Sequence, residues 1–468
     1  MGLGAGALAT AAIAGSAGSA VSGCGPMPNR CAGGPEVGAS AVTDSLLQTI
    51  DTFVVVMLEN RSFDNLLGGL KLDAGYPAAA AIDGLTGAES NLDAGGAPVM
   101  ANKLTGNGTL DPRHDWASSR VAFNGGRNDG FVRANAGSNQ HETMGYLTRD
   151  TLPFLHALAG EYTVCDRWFS SVMGPTWPNR FYLHAGTATG KKTNLPMGLS
   201  PPPTIWQRLA DRCWTGKNYH SGAIPWYSVA FPANSFSGDD AMVPEPMDHF
   251  YRDAAAGRLP NFALIDPDFD LNDGHPPHDL ELCEAFVASI YRSLANSPQW
   301  PRTLLVITFD EHGGFFDHVA PPTVVDPDPD FRQLGFRVPT IVAGPRVRRG
   351  AVVSTTFEHV SVAATLAARF GIGSLGARMD TSNDLSSCLD PAAGGAVGLA
   401  AAPSLPIVAL SKSRSLRAPA RASSLPELAR AARVGGVPAA HIDARPAGER
   451  VHSWLRHAQE LEAIRVIG

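Results

Sequence analysis

Runs of apolar and β-branched residues punctuate the chain, and three of them stop abruptly on acidic or amide positions. The first is Ile50-Asp51-Thr52-Phe53-Val54-Val55-Val56-Met57-Leu58, which closes on Glu59-Asn60-Arg61-Ser62-Phe63-Asp64. Asn261-Phe262-Ala263-Leu264-Ile265 closes on Asp266-Pro267, and Thr303 to Phe309 closes on Asp310-Glu311. A fourth run spans Val338 to Pro345. Short runs that are apolar on both faces predict buried, central strands. Helical periodicity fills the spaces between them. One helix is expected over residues 151–162, capped by Thr151 with Pro153 in its first turn. Others are expected over 279–297, over 357–370 with a stop at Gly371, and over 449–464. Residues 70–112 read as irregular loop, and Gly174 to Phe181 as a loop feeding a helix. Alternating strands and helices predict an α/β domain, with a mostly parallel central sheet covered on both faces.

The polar tips then matter more than the strands. Ligands of open α/β sheets gather beyond the carboxyl ends of the strands. If the strands are parallel, Glu59-Asn60, Asp266 and Asp310-Glu311 converge on one edge. Buried charges are costly unless paired or metal-bound, so acidic tips serve chemistry better than packing. Glu59, Asn60, Asp310 and Glu311 make an all-oxygen set suited to a hard or borderline divalent cation. The plainer reading of Glu59-Asn60 is a helix cap or turn. Gly313-Gly314 lets the backbone turn tightly beside the acids.

A hydrolytic site also needs an attacking group. Thr176 lies in Gly174-Pro175-Thr176-Trp177-Pro178-Asn179-Arg180, where prolines stiffen the loop. A hydroxyl needs activation, for instance by a metal. A helix starting at Thr176 would offer backbone donors to a phosphate, with Asn179 and Arg180 as further donors. The plainer reading is a threonine N-cap. His114, His220, His275, His318 and His359 are candidates for charge neutralisation or leaving-group protonation. Taken singly, each histidine reads equally as a structural residue.

The 468 residues are 44% hydrophobic and 17% charged, enough for one large core with appendages. A net charge of -7 argues against a nucleic-acid partner. The first 23 residues carry no charged side chain and read as an export leader. Val21-Ser22-Gly23-Cys24 is compatible with lipid anchoring at Cys24. The expected localisation is therefore secreted or associated with the cell envelope. The chain divides into leader and linker at 1–45, a catalytic domain at 46–390, and an Ala/Pro/Arg-rich linker with a helical tail at 391–468. Six cysteines show no metal spacing, and their pairing stays open.

Together the segments Val56 to Asp64, Gly174 to Arg180, His275-Pro276-Pro277, Thr308 to Val319, Phe336 to Pro339 and His359-Val360-Ser361 carry a family likeness. The chain resembles the bacterial phosphoesterase family of phosphatidylcholine-type phospholipases C and related secreted acid phosphatases, over residues 50–372. The resemblance implies an alkaline-phosphatase-like three-layer α/β/α sandwich with one divalent metal ion: calcium, magnesium, manganese or iron. It implies Glu59, Asn60, Thr176, Asp310 and Glu311 as metal ligands, and Thr176 also as nucleophile. His114, His220 and His275 would serve the phosphate or leaving group, with Asn179, Arg180, His318 and His359 assigned to substrate binding. Threonine rather than serine at the nucleophile position points to a phospholipase C, acting on a phospholipid or phosphate ester with peripheral membrane contact. The alternatives are a broad acid phosphatase and a non-catalytic exported phosphate-ligand binding protein. Gly274 stands where the family's usual acid precedes His275. The family's glycine further along that segment is not evident in Leu280 to Glu284, and the C-terminal β-domains of the larger phospholipases are missing.

Overall fold

The computed structural model describes residues 46–106, 110–198, 200–236, 242, 244–393, 401–411, 437 and 441–467. The expected leader and the anchoring position Cys24 lie outside the described residues. An eight-stranded sheet forms the centre. Its strands are β1 (Thr52–Leu58), β2 (Thr163–Cys165), β3 (Gly216–His220), β4 (Glu245–Pro246), β5 (Phe262–Asp266), β6 (Thr303–Phe309), β7 (Ile341–Ala343) and β8 (Ala351–Val353). They lie in the order β8-β2-β7-β6-β1-β5-β3-β4. Only β7 runs antiparallel to its neighbours. β1 is buried at every position and sits between β5 and β6, as its unbroken Val54-Val55-Val56 centre requires.

Register decides where the polar tips fall. Leu58 is opposite Phe309, so the next residues, Glu59 and Asp310, leave the sheet side by side. On the other flank Val56 pairs with Ile265, and Asp266 pairs with His220. The three acidic tips therefore meet on one edge.

The principal helices are α1 (Pro153–Glu161), α2 (Thr176–Ala185), α3 (Met247–Ala255), α4 (Leu280–Ala295), α5 (Val360–Phe370) and α6 (Ala447–Glu460). α1, α3 and α6 pack around α4, while α2 packs with α5. α5 covers the sheet through Phe370, whose ring lies 5.5 Å from that of Phe53. These two groups of helices sandwich the sheet, giving the expected α/β layers.

Several elements differ from expectation. β7 is shorter than the 338–345 run because Val338 N–H bonds outside the sheet, to the Trp168 carbonyl, while the Thr340 carbonyl still accepts from Cys165 N–H of β2. Pro339 between them has no N–H to give. α5 starts at Val360, since Phe357–Glu358 instead forms a short parallel ladder with Trp168–Phe169. Thr151 does not cap α1; Leu152 holds that position without a side-chain bond. Glu284 from α4 does the work, its Oε1 accepting from Leu155 N–H at 2.8 Å. The 70–112 loop contains a hairpin of Ser90–Leu92 with Pro98–Met100. Past residue 390, β9 (Val408–Ser411) pairs in parallel with β10 (Ile464–Ile467). The last helix accordingly ends at Glu460 rather than at Ile464. Cys213 is disulfide-bonded, while Cys165, Cys283 and Cys388 are buried thiols.

Candidate functional site

Five of the expected residues meet at the sheet edge. Asn60 follows β1 in the left-handed region, at φ 57°. Its backbone N–H donates to Asp310 Oδ1 at 3.0 Å, and its side-chain Oδ1 accepts from the Thr176 hydroxyl at 3.4 Å. Thr176 opens α2 and is 1% exposed. Gly313, at φ 61°, lets the turn after Glu311 lie against the first: a Cβ there would come 2.0 Å from the Asn60 carbonyl oxygen. Any side chain at 313 would push the two turns apart.

The acids are wholly buried and incompletely satisfied. Both oxygens of Glu59, Oδ2 of Asp310 and Oε1 of Glu311 have no hydrogen-bond partner. Burial, and then the neighbouring Asp310 charge, push the Glu59 carboxyl well above its usual range. Burial likewise lifts Asp310 to about 6, against the pull of Arg180. For Glu311 burial opposes charge, yet His114 and a His312 hydrogen bond hold its carboxyl low. Buried carboxylate oxygens that lack a hydrogen bond among the described residues and have only the ion-pair contacts of Arg180 and His114 are donors of the kind a divalent cation takes. The residues present therefore fit a metal. A second grouping, Asp111, His114 and His275, also brings three ligand atoms within 4.8 Å of one another. Asp111 in that grouping is solvent-exposed, whereas Glu59, Asp310 and Glu311 are wholly buried.

Histidines line one side. His114 Nε2 lies 3.1 Å from Asn60 Nδ2 and 3.7 Å from Glu311 Oε1, and its Nδ1 contacts the Pro112 carbonyl at 2.8 Å. Burial opposes its charge, but Glu311 and Asp111 raise it to about 9. The Asn60 contact requires an unprotonated Nε2, which conflicts with that value. With Nδ1 on the Pro112 carbonyl, the neutral ring accepts from Asn60 at Nε2, and protonation turns that nitrogen into a donor. His275 faces His114 with ring centroids 5.8 Å apart. Its backbone N–H donates to Asp273 Oδ1 at 3.0 Å, and Asp273 also binds His278 Nδ1 at 2.7 Å. Gly274 takes φ 88°, so the acid beside His275 is supplied one position earlier, by Asp273.

The remaining expected residues are placed differently. Asn179 spends its side chain on the nucleophile loop: Oδ1 accepts from Val172 N–H at 2.7 Å, and Nδ2 donates to the Gly174 and Pro175 carbonyls at 3.1 Å. Arg180 lies beneath the acids, 2.9 Å from Asp266, 3.3 Å from Glu59 and 3.6 Å from Asp310. It is buried, and its guanidinium is taken up by these three carboxylates. His359 is buried with Nε2 on the Asp310 backbone carbonyl at 2.7 Å, which fixes that turn from behind. His220 is held by the Gly222 carbonyl at 2.8 Å. Burial lowers it to about 4, and the charges bearing on it come from Asp443, Arg450 and His441, not from the acid cluster.

His318 belongs to a separate buried network. Its Nδ1 lies 2.7 Å from Asp64 Oδ2 and its Nε2 3.0 Å from Asp83 Oδ1, leaving no ring nitrogen for substrate. Burial opposes protonation, but Asp64 and then Asp317 raise the ring to about 9. An unfolded histidine titrates near ~6.5. The stabilisation is thus complete below that pH and disappears as pH rises through about 9. His318→Gln should flatten the stability profile between pH 6.5 and 9.5 by on the order of 2 kcal/mol, read from urea midpoints. An unchanged slope would refute the assignment.

Sequence reasoning passed over Asp111, Asp273 as the partner of His278, and His312, whose Nδ1 lies 3.1 Å from Glu311. Proximity to a motif was the only signal for any of them.

The model of the Phosphoesterase family matches residues 50–373. Non-specific phospholipase C1 of Arabidopsis thaliana is 34% identical over 373 residues, covering 69% of this chain and 68% of that protein. Phospholipase C A of Mycobacterium tuberculosis is 31% identical over 384 residues, covering 70% and 74%. A solved protein of the alkaline phosphatase superfamily from Vibrio parahaemolyticus covers 70% of this chain and 80% of its own, at 11% identity and a TM-score of 0.36. With the family model spanning the sheet and every residue of the acid–threonine cluster, the chain belongs to the Phosphoesterase family.

Proposed function

We propose that this hydrolase of phosphoric esters is an exported phospholipase C that attacks phosphatidylcholine-type diesters through Thr176. The observation that carries the reading is the Thr176 hydroxyl, buried at the start of α2 and 3.4 Å from Asn60, beside acids with oxygens that lack a hydrogen bond. Glu59, Asn60, Asp310, Glu311 and Thr176 would hold one divalent cation. When bound, that ion lowers the pKa of the hydroxyl and offsets charge on the phosphoryl oxygens.

The chain's own groups do the rest. Pro175 and Asn179 fix the approach of Thr176, so the hydroxyl is presented in line rather than sampled. Thr176 Oγ1 gives up its proton to solvent and attacks phosphorus, the diacylglycerol oxygen leaves, and a phospho-threonine ester forms; Thr176 regains a proton from solvent when water later cleaves that ester. His275, with its backbone fixed by Asp273 and its Nδ1 on the Pro276 carbonyl, supplies the proton to the leaving oxygen from Nε2 when the ring is protonated. It then takes a proton from the water that hydrolyses the ester. His114, whose Nδ1 is held by the Pro112 carbonyl, donates to the phosphoryl group from Nε2 when that nitrogen is protonated and gives up its Asn60 contact. The uncharged first 23 residues support export, and the named relatives support a phospholipid substrate. No helix among the described residues is long and apolar enough to cross a membrane, which is compatible with peripheral contact.

Phosphatidylcholine vesicles and a soluble phosphomonoester, assayed side by side with metal analysis of the purified protein, test the reading. The expected result is release of diacylglycerol and phosphocholine by protein carrying about one metal per chain, with activity lost on chelation. Turnover of the monoester alone would replace the phospholipase by an acid phosphatase.

A further inference from the structure

Two buried thiols stand outside everything described so far. Cys165 is the last residue of β2, and Cys388 ends a short helical turn, Leu385–Cys388. They are 223 positions apart, yet their Sγ atoms lie 3.7 Å from each other. Both are fully enclosed in the main core. We propose that Cys165 and Cys388 are a disulfide-forming pair that fastens the segment after α5 to the central sheet.

Three observations support the pairing. A disulfide needs sulfurs about 2.0 Å apart, which small side-chain rotations can reach from 3.7 Å. The backbone on both sides is already fixed. Cys165 N–H donates to the Thr340 carbonyl, and the Cys388 carbonyl accepts from Arg348 N–H at 3.0 Å. Leu385 N–H is held by Thr365 Oγ1 of α5 at 3.1 Å. No thiolate metal site competes: among the described residues the group of His, Cys, Asp or Glu whose ligand atoms converge within 4.8 Å is Asp111, His114 and His275, which contains no cysteine. The chain also carries a disulfide at Cys213, so it matures where such bonds form.

The chemistry is exchange with an external disulfide, small or borne by an oxidoreductase. One cysteine loses its proton and its sulfur attacks the donor, releasing one donor thiol and leaving a mixed disulfide. The second cysteine, deprotonated in turn, attacks that bond and releases the second donor thiol. Two protein thiols are oxidised and one external disulfide is reduced. Burial pushes the Cys165 thiol up and denies it the thiolate form. The exchange therefore belongs to folding, before the core closes.

The test uses the full chain, reduced in denaturant and refolded in a buffer of reduced and oxidised glutathione. Thiols are then blocked with iodoacetamide under denaturing conditions, and the protein is digested without reductant. Mass spectrometry is expected to find a peptide pair joined through Cys165 and Cys388. Both cysteines recovered as alkylated thiols, or either joined to another cysteine, would overturn the proposal. As a second measurement, the melting temperatures of oxidised and reduced protein are compared in wild type and Cys388→Ala. The wild-type gap should exceed the variant's by about 5–10 °C, since a closed loop this long restrains the unfolded chain strongly. The Cys213 bond is common to both and cancels. Equal gaps would also overturn the pairing.

Discussion

Thr176→Ala should lower phosphodiester turnover by at least ~10²–10³-fold, because losing a nucleophile removes the reaction's first bond-forming step. The fold should survive. Thr176 Oγ1 makes one hydrogen bond, to Asn60 Oδ1, and Asn60 keeps its other contact to His114. A change in stability within about 1 kcal/mol is expected, read from a urea midpoint. Thr176→Ser retains the hydroxyl at the same helix start and should recover a large part of kcat. Rescue by serine but not alanine separates a chemical role from a merely structural one at the first position of α2, where Pro175 is the N-cap and the variants would differ only in stability. Full activity in the alanine variant would dismiss Thr176 as the attacking group.

Arg337→Met should cost about 3–5 kcal/mol, the typical loss when one partner of a buried ion pair is removed. Arg337 is wholly buried, 2.8 Å from Asp317 and 3.0 Å from Asp64. It also donates to the Asp83 carbonyl at 2.7 Å and the Asp166 carbonyl at 3.0 Å. Methionine fills the space but leaves two carboxylates and two carbonyls without their donor. The contacts lie away from Thr176, so kcat per folded molecule should hold. A variant as stable as wild type would mean that water replaces the guanidinium, which its burial argues against.

Much of the catalytic edge was legible because it rests on local signals. β1, β5 and β6 are buried throughout with apolar centres, and each acid sits where the apolar run stops. Parallel pairing in register then does the rest, and it needs no knowledge of side-chain direction. What was illegible depends on direction. His318 is six residues from His312 and close in sequence to the acids, yet it turns to Asp64 and Asp83. Arg180 looked like a phosphate donor because it follows the nucleophile by one helical turn. That spacing equally points it inward, where three carboxylates claim it. The short strands were missed for another reason. β3 contains Lys217 and Asn218, and Asn218 is tolerated because its Nδ2 donates to the Asp266 carboxylate at 3.0 Å. Such compensation is nonlocal and leaves no mark in a sequence window.

The final ladder of β9 and β10 has a practical bearing on how the protein can be shortened. β9 and α6 both lean on α4, with the Trp454 ring 6.2 Å from that of Phe286. Arg445 reaches Asp248 at the start of α3, and Arg450 approaches Asp268 at 3.8 Å. Trimming the gene at the end of the family match would strip a greasy flank bare and orphan those acids. Soluble yield, more than chemistry, would suffer first, and an affinity tag is better placed where it does not have to displace Ile464 and Val466 from their partners.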